Sequence, residues 1–499
     1  MRTTLRRSCN ACAKAKLGCD LRIPQCSRCI KRNSRCVYAN KPLNSPLENL
    51  SLSAESSSCS SPAAGNRGQL FAPLPQDGEI AVQRPENPAW IRNPATASFD
   101  PFDSYPPTRL PRMHVQRLIH RFLSSIAFQY YPLDLNMESN PFIVSWWPLA
   151  LADQALFHVS LQTASLYEEL QAQNGFPISD LLMVDSIALV RRRIEDPSLA
   201  FQDETMDSIV TLAAIEHGKG NIEASKMHIE GVKRMVSIRG GIDELKQRSP
   251  LTARMVSWVS MLVMEDPQFP IKDDAGDGDG ISAIPQWQLA LTDAETQGES
   301  LATLNVTPAM NDTLSRLRRI LHHPWHSSLT NTQLHDLTCF IVHKLLLLPP
   351  LTDTSTDADA NPSRWAASEC LRYATALYML ILHGTTYYSH VGLANAIIRQ
   401  LRYHLVALQE AAAISMTARA PSPLEIWALS VGMVATTGNG LHRDHEWFRD
   451  QARASAAALG VSKWDDVVPH LQAIIWARMP QEELFRQEWE RAFVKTSVR

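Results

Sequence analysis

Glycine is scarce, at 20 of 499 residues, which excludes a collagenous chain, and the 45% apolar fraction excludes one disordered throughout. Aromatic residues make up 7% of the chain. No apolar run approaches the roughly 20 residues that span a bilayer, since even Ala376–Leu382 stops at His383. Met1 to Ser8 holds three arginines and no apolar segment of the secretory kind. These absences predict a soluble intracellular protein, of two to four domains at roughly 100–200 residues each. A P-loop, a Gly-x-Ser-x-Gly elbow and a His-Glu-x-x-His zinc motif are also missing. No catalytic constellation is left, and the expectation is that the chain is not an enzyme.

Net charge is only −3, yet it is unevenly spread. Residues 1–45 hold eleven basic residues against Asp20 alone, leaving the remainder strongly acidic. A short basic head on a long acidic body is the charge footprint of a nucleic-acid-binding module.

Six of the nine cysteines stand in that head: Cys9, Cys12, Cys19, Cys26, Cys29 and Cys36. Their order repeats one C-x2-C-x6-C unit. Three disulfides would need an oxidising compartment, for which no export signal is seen. Clustered thiolates beside many cations instead read as ligands for Zn²⁺, which prefers four sulfurs in a tetrahedron. Six sulfurs serve two zinc ions if two of them bridge. The symmetric solution makes Cys9 and Cys26 the bridging pair. One zinc then takes Cys9, Cys12, Cys19 and Cys26, and the other takes Cys26, Cys29, Cys36 and Cys9.

With this pattern, CNACAKAKLGCDLRIPQCSRCIKRNSRC, the head resembles the fungal binuclear zinc cluster (Zn2Cys6) transcription factors, down to the loop proline Pro24. The resemblance implies a nuclear regulator of RNA polymerase II transcription that reads CGG-type triplets in the major groove of double-stranded DNA. Cys-Ala-Lys-Ala-Lys in the first unit is similar to regulators of secondary-metabolite clusters of the aflatoxin type. Ser8 is a candidate N-cap for a short helix over Cys9–Leu17. Lys14 and Lys16 lie on or just after it, and Lys16 aligns with a base-contacting lysine of the family. Ala13, Ala15 and Gly18 stand where basic residues are usual, which puts the half-site in question. Arg28, Lys31, Arg32 and Arg35 of the second unit are expected on phosphates. Arg2, Arg6 and Arg7 read equally as solubilising charge or an import signal. The rival reading is a partner-binding coregulator whose zinc cluster is structural.

Domain boundaries follow composition: a DNA-binding domain at 1–40, a disordered Ser/Pro-rich linker at 41–109, and an all-α regulatory domain at 110–499. Cys59 in the linker reads as a plain exposed thiol. Pro42 and Pro46 interrupt the leucines after the cluster, so no coiled coil is expected there. A monomer, or a homodimer through the helical domain, stays open. Contacts with the transcription machinery are expected of the body, and a membrane is not.

In the body, apolar residues recur at helical spacing, as at Met183, Ile187, Val190 and Ile194. Helices are expected over 206–213 and 222–236, with Gly240-Gly241 ending the second. Others are expected near 112–129, 151–170, 250–264, 308–321, 331–348, 364–383, 390–412, 423–437, 441–458 and 463–477. No alternation suggests a sheet, so the fold class is a small Zn2Cys6 domain plus a large all-α array. Asn140–Gly241 resembles the helical regulatory domain that follows zinc clusters in fungal transcription factors, over about 110–265. Trp146, Trp147 and Phe157 read as core, with a small-molecule pocket as the alternative. Glu265–Ser300, with nine acidic residues and one lysine, reads as an exposed loop or an acidic activation segment. A calcium loop starting at Asp277 fails, because Ile281 and Gln288 occupy ligand positions. His322, His323, His326, His442 and His445 read as helix-end or surface residues, Cys339 and Cys370 as core.

Overall fold

A computed structural model describes residues 10–15, 27–32, 105–130, 136–272, 278–292, 304, 306–322, 329–351, 362–414, 421–477 and 481–494. The chain divides into two compact units, Met1–Ala64 with Arg109–His114, and Gly65–Thr108 with Val115–Arg499. The head contributes two short helices, α1 (Asn10–Lys14) and α2 (Ser27–Lys31).

The body begins with α3 (Arg112–Arg121), a π-helical turn over Phe122–Ile126, and α4 (Ala127–Tyr130). A second π-helical turn, Phe142–Trp146, leads into α5 (Trp147–Ala152) and α6 (Gln154–Ala172). Then come α7 (Pro177–Glu195), α8 (Asp203–Gly218), α9 (Ile222–Ile238), α10 (Ile242–Arg248) and α11 (Pro250–Met264). They are followed by α12 (Pro285–Thr292), α13 (Pro308–His322), α14 (Asn331–Leu347), α15 (Pro362–His383) and α16 (Val391–Ile414). Last are α17 (Pro423–Thr436), α18 (His442–Leu459), α19 (Trp464–Ile474) and α20 (Glu482–Phe493). Among the described residues there is no strand, only an isolated parallel bridge between Ile271 and Ile281. The all-α expectation holds.

Local chemistry sets the boundaries. Thr330 and Gln333 form a reciprocal capping box at the start of α14. Ser422 caps α17, and Pro423 occupies its first turn, where no amide hydrogen is needed. At the end of α9, Gly241 N–H donates to the Val236 carbonyl at 3.0 Å and Gly240 N–H to Ser237 at 3.2 Å. That is a Schellman closure, and it needs the positive φ of Gly240. Gly218-Lys219-Gly220 separates α8 from α9 as expected.

Helices α6, α8, α11 and α17 are buried almost all round and form the centre, as helices without a polar face must. Most of their serine and threonine hydroxyls find partners there, Ser260 of α11 being an exception. Ser160, Thr163, Thr211 and Ser430 each donate to the carbonyl four residues back, at 2.7–2.8 Å. The more one-sided α9, α13, α18 and α20 lie outside them.

Three expectations change. The 265–300 segment is not one exposed loop, because α12 forms within it and buries Trp287 completely. The Asp279 carboxylate accepts the Asp243 amide at 3.1 Å, and Lys246 donates to the Ser282 carbonyl at 3.1 Å, tying this segment to α10. Asp273–Asp277 and 293–300 lie outside the described residues, as does Cys59. The helix expected over 151–170 starts at Gln154, because Asp153 turns extended and caps it through the Leu156 amide at 2.8 Å. A further helix, α20, follows the last expected one.

Candidate metal centre and nucleic-acid interface

Five-residue helices have no independent stability, so α1 and α2 need something to hold them. Each places a cysteine third: Cys12 in α1 and Cys29 in α2. These thiols are 3% and 2% exposed, and the two helices are in contact. The repeat is geometric as well as sequential. Ala15 N–H donates to Ala11 and Arg32 N–H to Arg28, both at 3.1 Å, at positions 17 residues apart. Lys14 and Lys31 end the two helices at equivalent positions, and Lys14, Arg28, Lys31 and Arg32 are all exposed. Thiols point inward and cations outward.

That arrangement fits soft thiolate ligation of zinc, whose charge the surrounding cations do not crowd. The helix expected over Cys9–Leu17 is shorter, Asn10–Lys14. Cys9, Cys19, Cys26 and Cys36 lie outside the described residues, as do Ser8, Lys16 and Arg35.

In the body, Trp146 is core. It is 1% exposed, and its indole N–H donates to Ser160 Oγ at 2.9 Å. Trp147 packs on Phe122 and Phe157. Cys339 and Cys370 are buried as expected. Burial pushes the Cys339 thiol up to about 12, so it is no thiolate at neutral pH. His445, in the first turn of α18, meets Glu488 of α20 at 3.3 Å, and His442 begins that helix. His322 closes α13, and its side chain, with His323 and His326, lies outside the described residues.

The sequence reading missed a band of polar groups inside the body. His335 and His383 share a ring-nitrogen hydrogen bond of 2.9 Å, with Trp258 against both rings. Burial drives His335 down to about 3 and His383 well below its usual range. Arg254 donates to both carboxylate oxygens of Asp336, at 2.8 and 2.9 Å. The Tyr130 and Tyr388 hydroxyls lie 2.8 Å apart. Burial also raises the Asp207 carboxyl well above the carboxylate range, opposed by the hydroxyl of Thr252 at 3.1 Å. The partners are 45 to 258 residues apart in the chain, so no local motif announces them.

Comparison with known proteins bears on both units. The model for the fungal Zn(2)-Cys(6) binuclear cluster domain matches residues 7–45, and that for the fungal specific transcription factor domain matches 117–264. The chain is 36% identical over 104 residues to the geodin cluster transcription factor of Aspergillus terreus, covering 20% of this chain and 44% of that protein. It is 34% identical over 84 residues to a transcriptional regulator of Pestalotiopsis microspora, covering 16% of this chain and 19% of that protein. The chain thus spans less than half the length of these relatives. No solved structure matches it significantly. A cluster domain of this kind binds two zinc ions, and both matches point to a transcription factor rather than an enzyme. Residues 7–45 are thus similar to the fungal Zn(2)-Cys(6) binuclear cluster domain and residues 117–264 to the fungal specific transcription factor domain.

Proposed function

We propose that the chain is a sequence-specific nuclear regulator that grips double-stranded DNA through its head and controls a fungal secondary-metabolite gene cluster transcribed by RNA polymerase II. The observation that carries this reading is the repeated helix pair, with a buried cysteine and exposed cations at equivalent positions. Cys9, Cys12, Cys19, Cys26, Cys29 and Cys36 would hold the two zinc ions, with Cys9 and Cys26 shared. When bound, zinc supplies on the order of 10–16 kcal/mol in comparable sites, enough to fold so small a module. Lys14 and Lys16 present ammonium donors to guanine O6 and N7 of a CGG-type site. Arg28, Lys31 and Arg32 neutralise phosphates. The body, from about residue 110, contacts the transcription machinery and is the surface through which a homodimer would form. Gene-cluster control draws on the name of the Aspergillus terreus relative. A nuclear address draws on the transcription factor family. No described helix is long and apolar enough to cross a membrane.

Competition binding tests the assignment. Lys16→Ala lowers the preference for a cognate over a scrambled site. Arg32→Ala weakens both alike and flattens the salt dependence by about 0.9 in log–log slope. Equal loss of preference in the two variants defeats it. Site selection on the zinc-loaded chain that enriches no motif would favour a coregulator with a structural cluster.

A further inference from the structure

Helix α7 packs against α6 and α8, and Ser179, Leu182, Met183, Ser186 and Val190 form its buried side. The opposite side is not the polar face that a surface helix ordinarily shows. Pro177, Leu181, Val184, Ala188, Arg191 and Glu195 recur there at intervals of four and three, the 3.5-residue period of a coiled-coil seam. Leu181, Val184 and Ala188 make the middle of this seam apolar. Val184 is 63% exposed, Ala188 is exposed and Leu181 is half-buried.

Charge is sorted along the same helix. Asp180 and Asp185 stand in its first half, Arg191 and Arg192 in its second, while Arg193 is turned inward onto Asp153. At 3.6 residues per turn, Asp180 and Arg191 flank one edge of the seam, Asp185 and Arg192 the other. A parallel pair of such helices sets acid beside acid and base beside base. An antiparallel pair sets acid beside base, and a two-fold axis makes each such contact twice. With that axis level with Ser186, Val184 faces Ala188 of the second copy. Asp180 then lies about 1.5 Å along the helix from Arg191 of that copy. Asp180 also holds Lys219, and its two carboxylate oxygens can accept a second cation.

We propose that the outer face of α7 joins two copies of this chain as an antiparallel helix pair. Leu181, Val184 and Ala188 close its centre, and Asp180 of each copy pairs with Arg191 of the other. The occupant is a second copy because one helix supplies both halves of the charge pattern. The pairing rests on the reading that the body forms a homodimer, and gives that homodimer its surface. At 19 residues, α7 is about 28 Å long. One helix pair of that length buries less than the roughly 1,200 Å² of a stable interface. The dimer is therefore weak and reversible, with a dissociation constant on the order of 10 μM.

Sedimentation velocity on the full zinc-loaded chain, from about 1 to 100 μM, reads the association. Asp180→Arg and Arg191→Asp each turn two attractions into repulsions and weaken the dimer at least about tenfold. Combining them restores opposite charges across the axis and returns association to within about threefold of the wild type. A helix merely damaged by the substitutions does not recover in this way. Val184→Glu puts a carboxylate in the apolar seam and leaves the chain monomeric, with its thermal melting curve unchanged. A wild-type chain that stays monomeric overturns this pairing and the homodimer reading together. A dimer that none of these variants weakens, or a double variant no tighter than the single ones, overturns the α7 surface and leaves the homodimer reading standing.

Discussion

At the scale of single residues, the clearest physical signal is the buried carboxyl of Asp207, 1% exposed in α8 and bonded to Thr252. Its folded pKa lies above the unfolded value of about 3.9. The folded state therefore holds the proton more tightly. The stability this gives is complete below the unfolded pKa and is lost as pH rises through the folded one. Asp207→Asn keeps an acceptor for Thr252 and cannot ionise. Its melting temperature should exceed the wild type's on the alkaline side and vary less with pH, measured by thermal unfolding from pH 4 to 9. A wild-type curve as flat as the variant's would show that Asp207 titrates alike in both states. Nothing in the local sequence Met206-Asp207-Ser208 sets this carboxyl apart, because what shifts it is the helix laid over it.

At the scale of elements, helix ends were readable and helix contacts were not. The expected 331–348 and 423–437 became Asn331–Leu347 and Pro423–Thr436, since Thr330, Ser422 and Pro423 carry their capping chemistry in themselves. By contrast, α20 has few apolar positions; Phe485, Trp489 and Ala492 are buried, while acidic and basic residues dominate the rest. The π-turns also leave no mark in composition. The C-terminal end of α14 is closed by a residue from another helix. Arg372 of α15, 4% exposed, donates to the carbonyls of Leu345 at 2.7 Å, Leu346 at 3.2 Å and Leu348 at 2.6 Å. It also pairs with the buried Glu369 at 3.2 Å. Arg372→Met keeps the apolar stem but strands those carbonyls and one carboxylate. A loss of about 3–5 kcal/mol follows from breaking a buried pair on one side, read as a lower denaturant midpoint. A loss under about 1 kcal/mol would mean that solvent reaches these groups.

At the scale of the whole molecule, the two units answer to different agents. Chelation should abolish DNA binding by the head and leave the far-ultraviolet helical signal of the body and its melting temperature in place. A parallel collapse of both would contradict separate folding. Acid should act on the body. Burial holds His335 at about 3 and His343 and His390 at about 4. These folded values lie below the unfolded one, so the stability they lend is present above about pH 6.5 and lost as pH falls through the folded pKa values. Each contributes on the order of 3 kcal/mol across that window. Unfolding monitored from pH 7 to 4 should show a steep fall that His343→Gln makes shallower. The helical class was legible in spacing and composition. The polar band inside the body was not, because it is assembled from side chains on α4, α8, α11, α14 and α15 and the turn that follows α15.

The contact between Arg254 and Asp336 reaches across 82 residues, and the family match stops at residue 264, between the two. A chain cut there would leave the guanidinium facing water and the Trp258 indole stripped of both imidazoles that flank it. The recognisable portion is thus only part of a larger cooperative block. Shortened versions for biophysical work should run to the final helix rather than end where similarity ends.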